Sequence, residues 1–123
     1  MSSYPRMNAL TYKCAAAVVK GTVAKPGADE QHLIVSASAT SKNVGIFQND
    51  TTTAEDPVEV AHPGGGGLAK LGVGGCAVGD FLTADSSGTL VVTTTPGNFV
   101  VAQALKDGLA GDLVPVNVVC FLI

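Results

Sequence analysis

Apolar residues in this chain fall in short bursts, separated by clusters of Gly, Pro, Asp, Asn and Ser. No segment holds the period of a capped amphipathic helix for three turns, so the bursts read as strands. Residues 15–23 (AAAVVKGTV) have the Val and Thr content of a strand, and residues 25–30 (KPGADE) supply a turn. The expected return strand, residues 31–40, places Val35, Ala37 and Ala39 on one face and Ser36, Ser38 and Thr40 on the other. A short strand is expected at 44–48, a polar loop at 49–57, and a strand at 58–61 with Val58 and Val60 inward.

The run HPGGGG follows. Glycines 64–67 are expected to forbid a regular element and to mark a loop tip or a close approach of two backbones. Residues 81–83 and 89–94 flank an ADSSG hairpin turn, and PGN at 96–98 makes the next turn. Strands at 99–106 and 113–123 enclose the loop DGLAGD. The last stretch, LVPVNVVCFLI, starts as an alternation and ends as a continuous apolar run, as a strand buried on both faces would. Pro115 cannot donate to a ladder and is expected near a strand start, an edge or a bulge. The pattern therefore predicts an all-β protein: a small β-sandwich or β-barrel of roughly eight or nine short strands. Residues 14–123 are expected to form a single β domain, preceded by an extended N-terminal arm at 1–13 that lacks a sustained period.

One internal likeness stands out. VGIFQND…AEDPVEV at 44–60 parallels VAQALKD…AGDLVPV at 101–116, each reading as strand, polar loop, Asp and strand. Short β patterns also resemble one another by chance, and the sequence leaves duplication open.

Composition narrows the function. Of 123 residues, 46% are apolar but mostly Ala and Val, with four Phe, two Tyr and no Trp, so large core-forming rings are scarce. Only 14% are charged, below the usual quarter, which suggests a surface partly covered by neighbours. The seven Lys and Arg are scattered singly and the net charge is −3, so there is no basic stripe for nucleic acid. No apolar run approaches the ~18 residues of a membrane span, and the polar N-terminus does not read as a signal peptide. Cys14, Cys76 and Cys120 are odd in number and widely spaced; they are expected to be small buried hydrophobes, not a disulfide framework or a zinc site.

Candidate chemistry is sparse. His32 and His62 are the two histidines, too few for a multi-His metal centre, and each reads more simply as a structural residue. HPGGGGLAKLGVGG lacks the Gly-Lys-Ser/Thr ending of a phosphate loop. Glu55, Asp56 and Glu59 lack calcium-loop spacing, while Asp85, Asp107 and Asp112 read as turn residues whose carboxylates accept backbone N–H groups. Cys76 has no neighbouring base to activate it. Neither a catalytic, a metal nor a cofactor site is expected.

The second half carries a more specific pattern: LGVGGCAVGDFLTADSSGTLV, a PGN turn, then FVVAQALKDGLAGDLVPVNVV. It resembles the small tailed-phage capsid decoration proteins, also called cement proteins. Val78, Gly79, Asp80, Phe81, Leu82, Asp85, Gly88 and Leu90 match the first part of that family's pattern, and residues 100–105 with Gly111, Asp112, Val114 and Val116 match the second. The likeness covers roughly residues 20–119; it departs where Val101-Ala102 replaces the usual Val-Gly and where Cys76 stands. The resemblance implies a non-enzymatic protein of the virion exterior, made in the host cytoplasm, that forms homotrimers and binds the major capsid protein. Asp80, Asp85, Gly88, Gly111 and Asp112 would then be structural turn residues. Tyr4, Arg6, Met7, Leu10 and Tyr12 in the arm would be the capsid contacts, being of types enriched at interface anchors. Two rivals remain: a biotinyl- or lipoyl-like carrier barrel, for which Lys70 is the only lysine near a comparable place, and a cupin-type enzyme, for which the His content is too low.

Overall fold

Turn residues punctuate the chain at short intervals, and the computed structural model, which describes residues 12–27 and 32–122, has strands and loops and no helix among those residues. Eleven strands form two sheets among the described residues, more than the eight or nine expected, because the strand expected at 58–61 is split by a bend and because Tyr12–Cys14 and Gly66–Lys70 form strands. The first sheet holds β1 (Tyr12–Cys14), β2 (Val23–Pro26), β3 (His32–Val35), β4 (Gly45–Phe47), β5 (Pro57–Val58) and β6 (Val60–Ala61), in the order β5-β1-β3-β2-β4-β6. Its edge strands β5 and β6 are a single segment bent at Glu59, so the sheet curls back on itself as a small barrel. Asn49 holds the bend: its Oδ1 accepts the Glu59 N–H at 2.7 Å and its Nδ2 donates to the Pro57 carbonyl at 3.2 Å.

The second sheet holds β7 (Gly66–Lys70), β8 (Phe81–Ala84), β9 (Leu90–Val92), β10 (Phe99–Ala104) and β11 (Leu113–Leu122), in the order β7-β11-β10-β8-β9. A parallel bridge between Leu71 and Leu90, with the Gly72 N–H donating to the Leu90 carbonyl at 2.7 Å, draws its two edges together.

These two halves are the same structure twice. In each, a hairpin (β2–β3, β8–β9) pairs through its first strand with an antiparallel third strand (β4, β10), which pairs with a fourth (β6, β11). The opening strand runs parallel to the hairpin's second strand and antiparallel to the last one, as β1 does with β3 and β5. The equivalent β7 pairs with β11 and reaches β9 through Leu71. Hydrogen bonds repeat one for one. Cys14 N–H donates to Asp56 O at 3.1 Å and Leu71 N–H to Asp112 O at 2.9 Å; Glu55 N–H donates to Cys14 O and Gly111 N–H to Leu71 O, both at 2.8 Å. Gly21 N–H donates to Phe47 O and Gly79 N–H to Ala104 O, while Lys20 N–H meets Asp50 and Val78 N–H meets Asp107, each at 2.7 Å. The positive φ values repeat as well, 89° at Gly21 against 87° at Gly79, and 74° at Glu55 against 88° at Gly111. The duplication that the sequence left open is thus present in the backbone.

The interiors correspond too. Cys14, Val18, Ala24, Leu33, Phe47 and Val58 fill the first barrel, and Leu71, Cys76, Leu82, Leu90, Ala104 and Val114 stand at the matching positions of the second. Large and small residues are exchanged between layers: Phe47 faces Cys14 and Ala24 in one barrel, and Ala104 matches Leu71 and Leu82 in the other. Each interior keeps its total volume, which dense packing requires.

Several expectations need correction. Residues 15–20 form bends, not a strand; the strand begins at Val23, and Thr22 N–H instead closes a turn on Val19 O. The return strand stops at Val35: Ser36 N–H still donates to Val23 O, but Val23 N–H goes to Gly88 O and the ladder ends there. Gly66 and Gly67 are strand residues, contrary to expectation, and what crowds Gly67 is side chain, not a second backbone: a Cβ there would lie 2.8 Å from that of Ala61 and 3.0 Å from Gln48 Nε2. The final strand is not buried on both faces, since it alternates through Val118 and leaves Phe121 and Leu122 exposed. Pro115 is its third residue, near the strand start as expected. Of the cysteines, only Cys14 is fully buried; Cys76 and Cys120 are half-buried.

The barrels join through the outer face of the first. Val23, Ile46 and Ala61 point away from their own barrel and pack into the second barrel's core. Polar links surround them: Lys70 N–H donates to Gly21 O at 3.0 Å and Val23 N–H to Gly88 O at 2.9 Å. The Gln48 carboxamide acts as a strand would, accepting from Leu68 N–H and donating to Leu68 O, both at 3.0 Å, and so caps the open edge of β7. Gln48→Ala removes both partners of that edge and is expected to lower stability by about 1–3 kcal/mol, read as a reduced denaturant midpoint at unchanged m-value.

Candidate interaction surface

Most polar side chains near the turns are committed to holding backbone. Asp85 accepts Ser87 N–H at 2.8 Å, Thr89 N–H at 3.1 Å and the Thr89 hydroxyl at 2.6 Å, closing the ADSSG hairpin. Gly88 sits at φ 83° in that turn. Asp80 accepts Ala77 N–H and Asp112 accepts Leu109 N–H, both at 2.9 Å, beside Gly111. Asp56 accepts the N–H groups of Thr52 and Thr53 and the Thr53 hydroxyl. Those bonds favour the ionised form and hold its pKa below the ordinary 3.8, the Thr53 N–H contributing most.

The histidines stand apart. His32 Nε2 lies 2.6 Å from Glu55, which also faces Lys13 at 3.9 Å, and the His62 ring lies 5.9 Å from that of Tyr12. Tyr12 itself is paired with Val58 in β1 and half-buried, while Tyr4, Arg6, Met7 and Leu10 lie outside the described residues. Among the described residues no group of three or more His, Cys, Asp or Glu is placed to hold a metal ion. No helix of the described residues is long and apolar enough to cross a membrane. Lys70 closes β7, half-buried and paired with Leu113, and is not presented at a hairpin tip as a carrier lysine must be. Both half-buried thiols are disfavoured as thiolates. Burial first, and then the nearby Asp80 charge, raises Cys76; burial pushes Cys120 up to about 11.

Apolar surface, by contrast, is concentrated. On the outer side of the second barrel Phe81 and Phe121 stack edge to face with centroids 5.3 Å apart, and both remain exposed. Leu105, two residues beyond Gln103, which pairs with Phe81, is exposed on the same face, and Val73, Val78 and Leu109 are exposed on the loops that precede β8 and β11. Those loops are held firmly, with reciprocal bonds of 3.0 Å between Cys76 and Gly108 and Val78 N–H on Asp107. A fixed apolar surface of this kind suits docking against another protein. The sequence reading missed it, because it assigned the C-terminal apolar run to a core.

No protein-family model matches the chain, and no curated protein matches it in sequence. Among solved structures it resembles the N base of head fiber gp8.5 in bacteriophage phi29, with a TM-score of 0.69 and 20% identity, over 88% of this chain and 90% of that one. The likeness is one of fold, and it is to a phage head protein, in line with the resemblance to phage capsid decoration proteins.

Two outcomes test the local chemistry. Because the Asp56 pKa is lowered on folding, its stabilisation is complete above about pH 5 and is lost as pH falls below 3.8 through the depressed folded value. Asp56→Asn should therefore flatten the acid limb of stability against pH. Cys120 in the native protein should alkylate with iodoacetamide at pH 7 on the order of 100-fold more slowly than an unperturbed thiol, as read by mass spectrometry.

Proposed function

We propose that this protein is a structural component of a phage virion that binds the exterior of the assembled head and stabilises the shell of major capsid protein. The observation that carries this reading is the fold shared with a phage head fiber base over nearly the whole chain. The decoration-protein pattern supports it independently, since Gly79, Asp80, Asp85, Gly88, Gly111 and Asp112 stand at turns that shape the second barrel. A ligand that binds only the assembled shell stabilises that shell by its binding free energy, and needs shape and area without a reactive group. The apolar surface around Phe81 and Phe121 and the polar turns supply such a docking body. In this reading the protein acts as a homotrimer without catalysis or cofactor, and residues 1–13, with Tyr4, Arg6, Met7, Leu10 and Tyr12, reach the capsid.

Co-sedimentation with expanded, undecorated heads checks the reading. Saturable binding that is lost on deletion of residues 1–11 is the expected result, and decorated heads should resist heat or chelator-induced rupture better than bare ones. Absence of binding to heads of the phage that encodes the protein would overturn it.

A further inference from the structure

The final strand is open along part of one side. β7 pairs with β11 from Leu113 to Asn117, and Val118 exchanges hydrogen bonds of 2.9 Å with Gly64 and Gly65. Beyond Val118 the strand has only β10 beside it, through Val100 and Phe99. Among the described residues no backbone hydrogen bond reaches residues 119–122 from the other side. The segment VVCFLI at 118–123 is apolar and uncharged, and Phe121 and Leu122 are 39% and 64% exposed. An edge of this kind invites pairing with foreign strands, and proteins guard it with charge, Pro, a bulge or a covering segment. A bulge is present at Cys120, with φ 43°; charge and Pro are absent.

The chain has a covering segment close by. Residues 1–11 join the described fold at Tyr12, and the Tyr12 ring lies 5.9 Å from that of His62. His62 begins the turn in which Gly65 N–H returns to His62 O at 3.0 Å, and this is the turn bonded to Val118. One turn therefore separates the point where residues 1–11 enter from the start of the open edge. From Val118 to Leu122 the strand advances about 13 Å, whereas residues 1–11 span up to about 36–40 Å when extended, so length is ample. Composition fits as well. Tyr4, Met7 and Leu10 recur at every third position, and Arg6 is the one charged side chain. An extended chain with three residues per turn brings all three to one side.

From these placements we infer that residues 1–11 cover the open edge of β11 in their own chain while the protein is free, with Tyr4, Met7 and Leu10 against Phe121 and Leu122. The contact masks an aggregation-prone edge before assembly. It rests on the proposed function for one point only: docking on the head draws the arm away and exposes arm and edge together, where both are used. The cover itself belongs to the free protein and forms within one molecule, so it does not depend on protein concentration.

Trypsin reads the accessibility of Arg6, the one Lys or Arg among residues 1–11. In the full chain without heads, mass spectrometry is expected to show loss of residues 1–6 at least about 10-fold more slowly than cleavage of a synthetic peptide of residues 1–12, because cutting follows the population with the arm released. The rate constant should be the same at micromolar and hundred-micromolar protein. Leu122→Asp places a charge on the edge at an exposed position and should return cleavage to the peptide rate at an unchanged denaturant midpoint. Leu10→Asp should do the same from the side of the arm, compared with its own peptide. Wild-type cleavage at the peptide rate, protection that rises with protein concentration, or protection retained in both variants would each overturn the inference. These rates are measured without heads, so a failure of capsid binding leaves them untouched.

Discussion

The outer face of the first barrel must be taken out of water, and much of the fold follows from how that is done. Val23, Ile46 and Ala61 point away from their own interior because strand alternation sends every second residue outward. A barrel whose fully buried interior has Phe47 as its one ring, with Tyr12 half-buried against it and otherwise Ala, Val, Leu and Cys, buries little apolar area per residue. Packing this outer face on the second barrel adds the missing area. It also explains three features that look unrelated along the chain: glycine at position 21, where Leu113 and Lys70 close in; glycine at 67, where Ala61 and Gln48 close in; and glycine at 88, where Val35 does.

The two barrels share a backbone without sharing side chains. Their identity resides in hydrogen bonds and in the few residues of positive φ, and these tolerate wide variation in what they carry. Gly111 takes its φ of 88° without a Cβ penalty, whereas Glu55 holds 74° at a cost of roughly 1–2 kcal/mol. Glu55 is held there by its N–H on Cys14 O and by His32 and Lys13 on its carboxylate. In the interior, exchanging Phe47 for Ala at 104 is matched by Leu71 and Leu82 in place of Cys14 and Ala24. Volume is conserved for the set and not at any one position, which is why so little of the repeat survives as sequence identity.

That accounts for what could be read from the sequence. The ADSSG hairpin was legible because Asp85 and Gly88 act locally, on residues within the same turn. Likewise, the fourth and last strands of each half were recognisable, since AEDPVEV and AGDLVPV carry the same Asp-capped turn. The strand expected at 15–23 begins only at its last residue, because the Val and Ala content ahead of it reflects burial of Val18 against Thr51, a contact distant in sequence. Gly66 and Gly67 read as a breaker on intrinsic preference, yet they pair with Asn117 and Val116, because a partner backbone and the Gln48 amide supply what their propensity lacks. The interaction surface was illegible for a related reason: hydrophobicity of residues 118–122 states that they leave water, but not whether their cover comes from this chain.

Packing one like unit on another uses the outer face of the first and an open strand edge of the second. In the first barrel the pairing of β1 with β3 at Lys13 and Cys14 closes the edge that β7 leaves open in the second, where Leu71 alone bridges to Leu90. That difference between the halves is what makes their contact one-way. Because β9 stops short of them, Lys70 N–H reaches Gly21 O and Leu68 meets the Gln48 amide, so an edge that would otherwise be unpaired is covered by the first barrel.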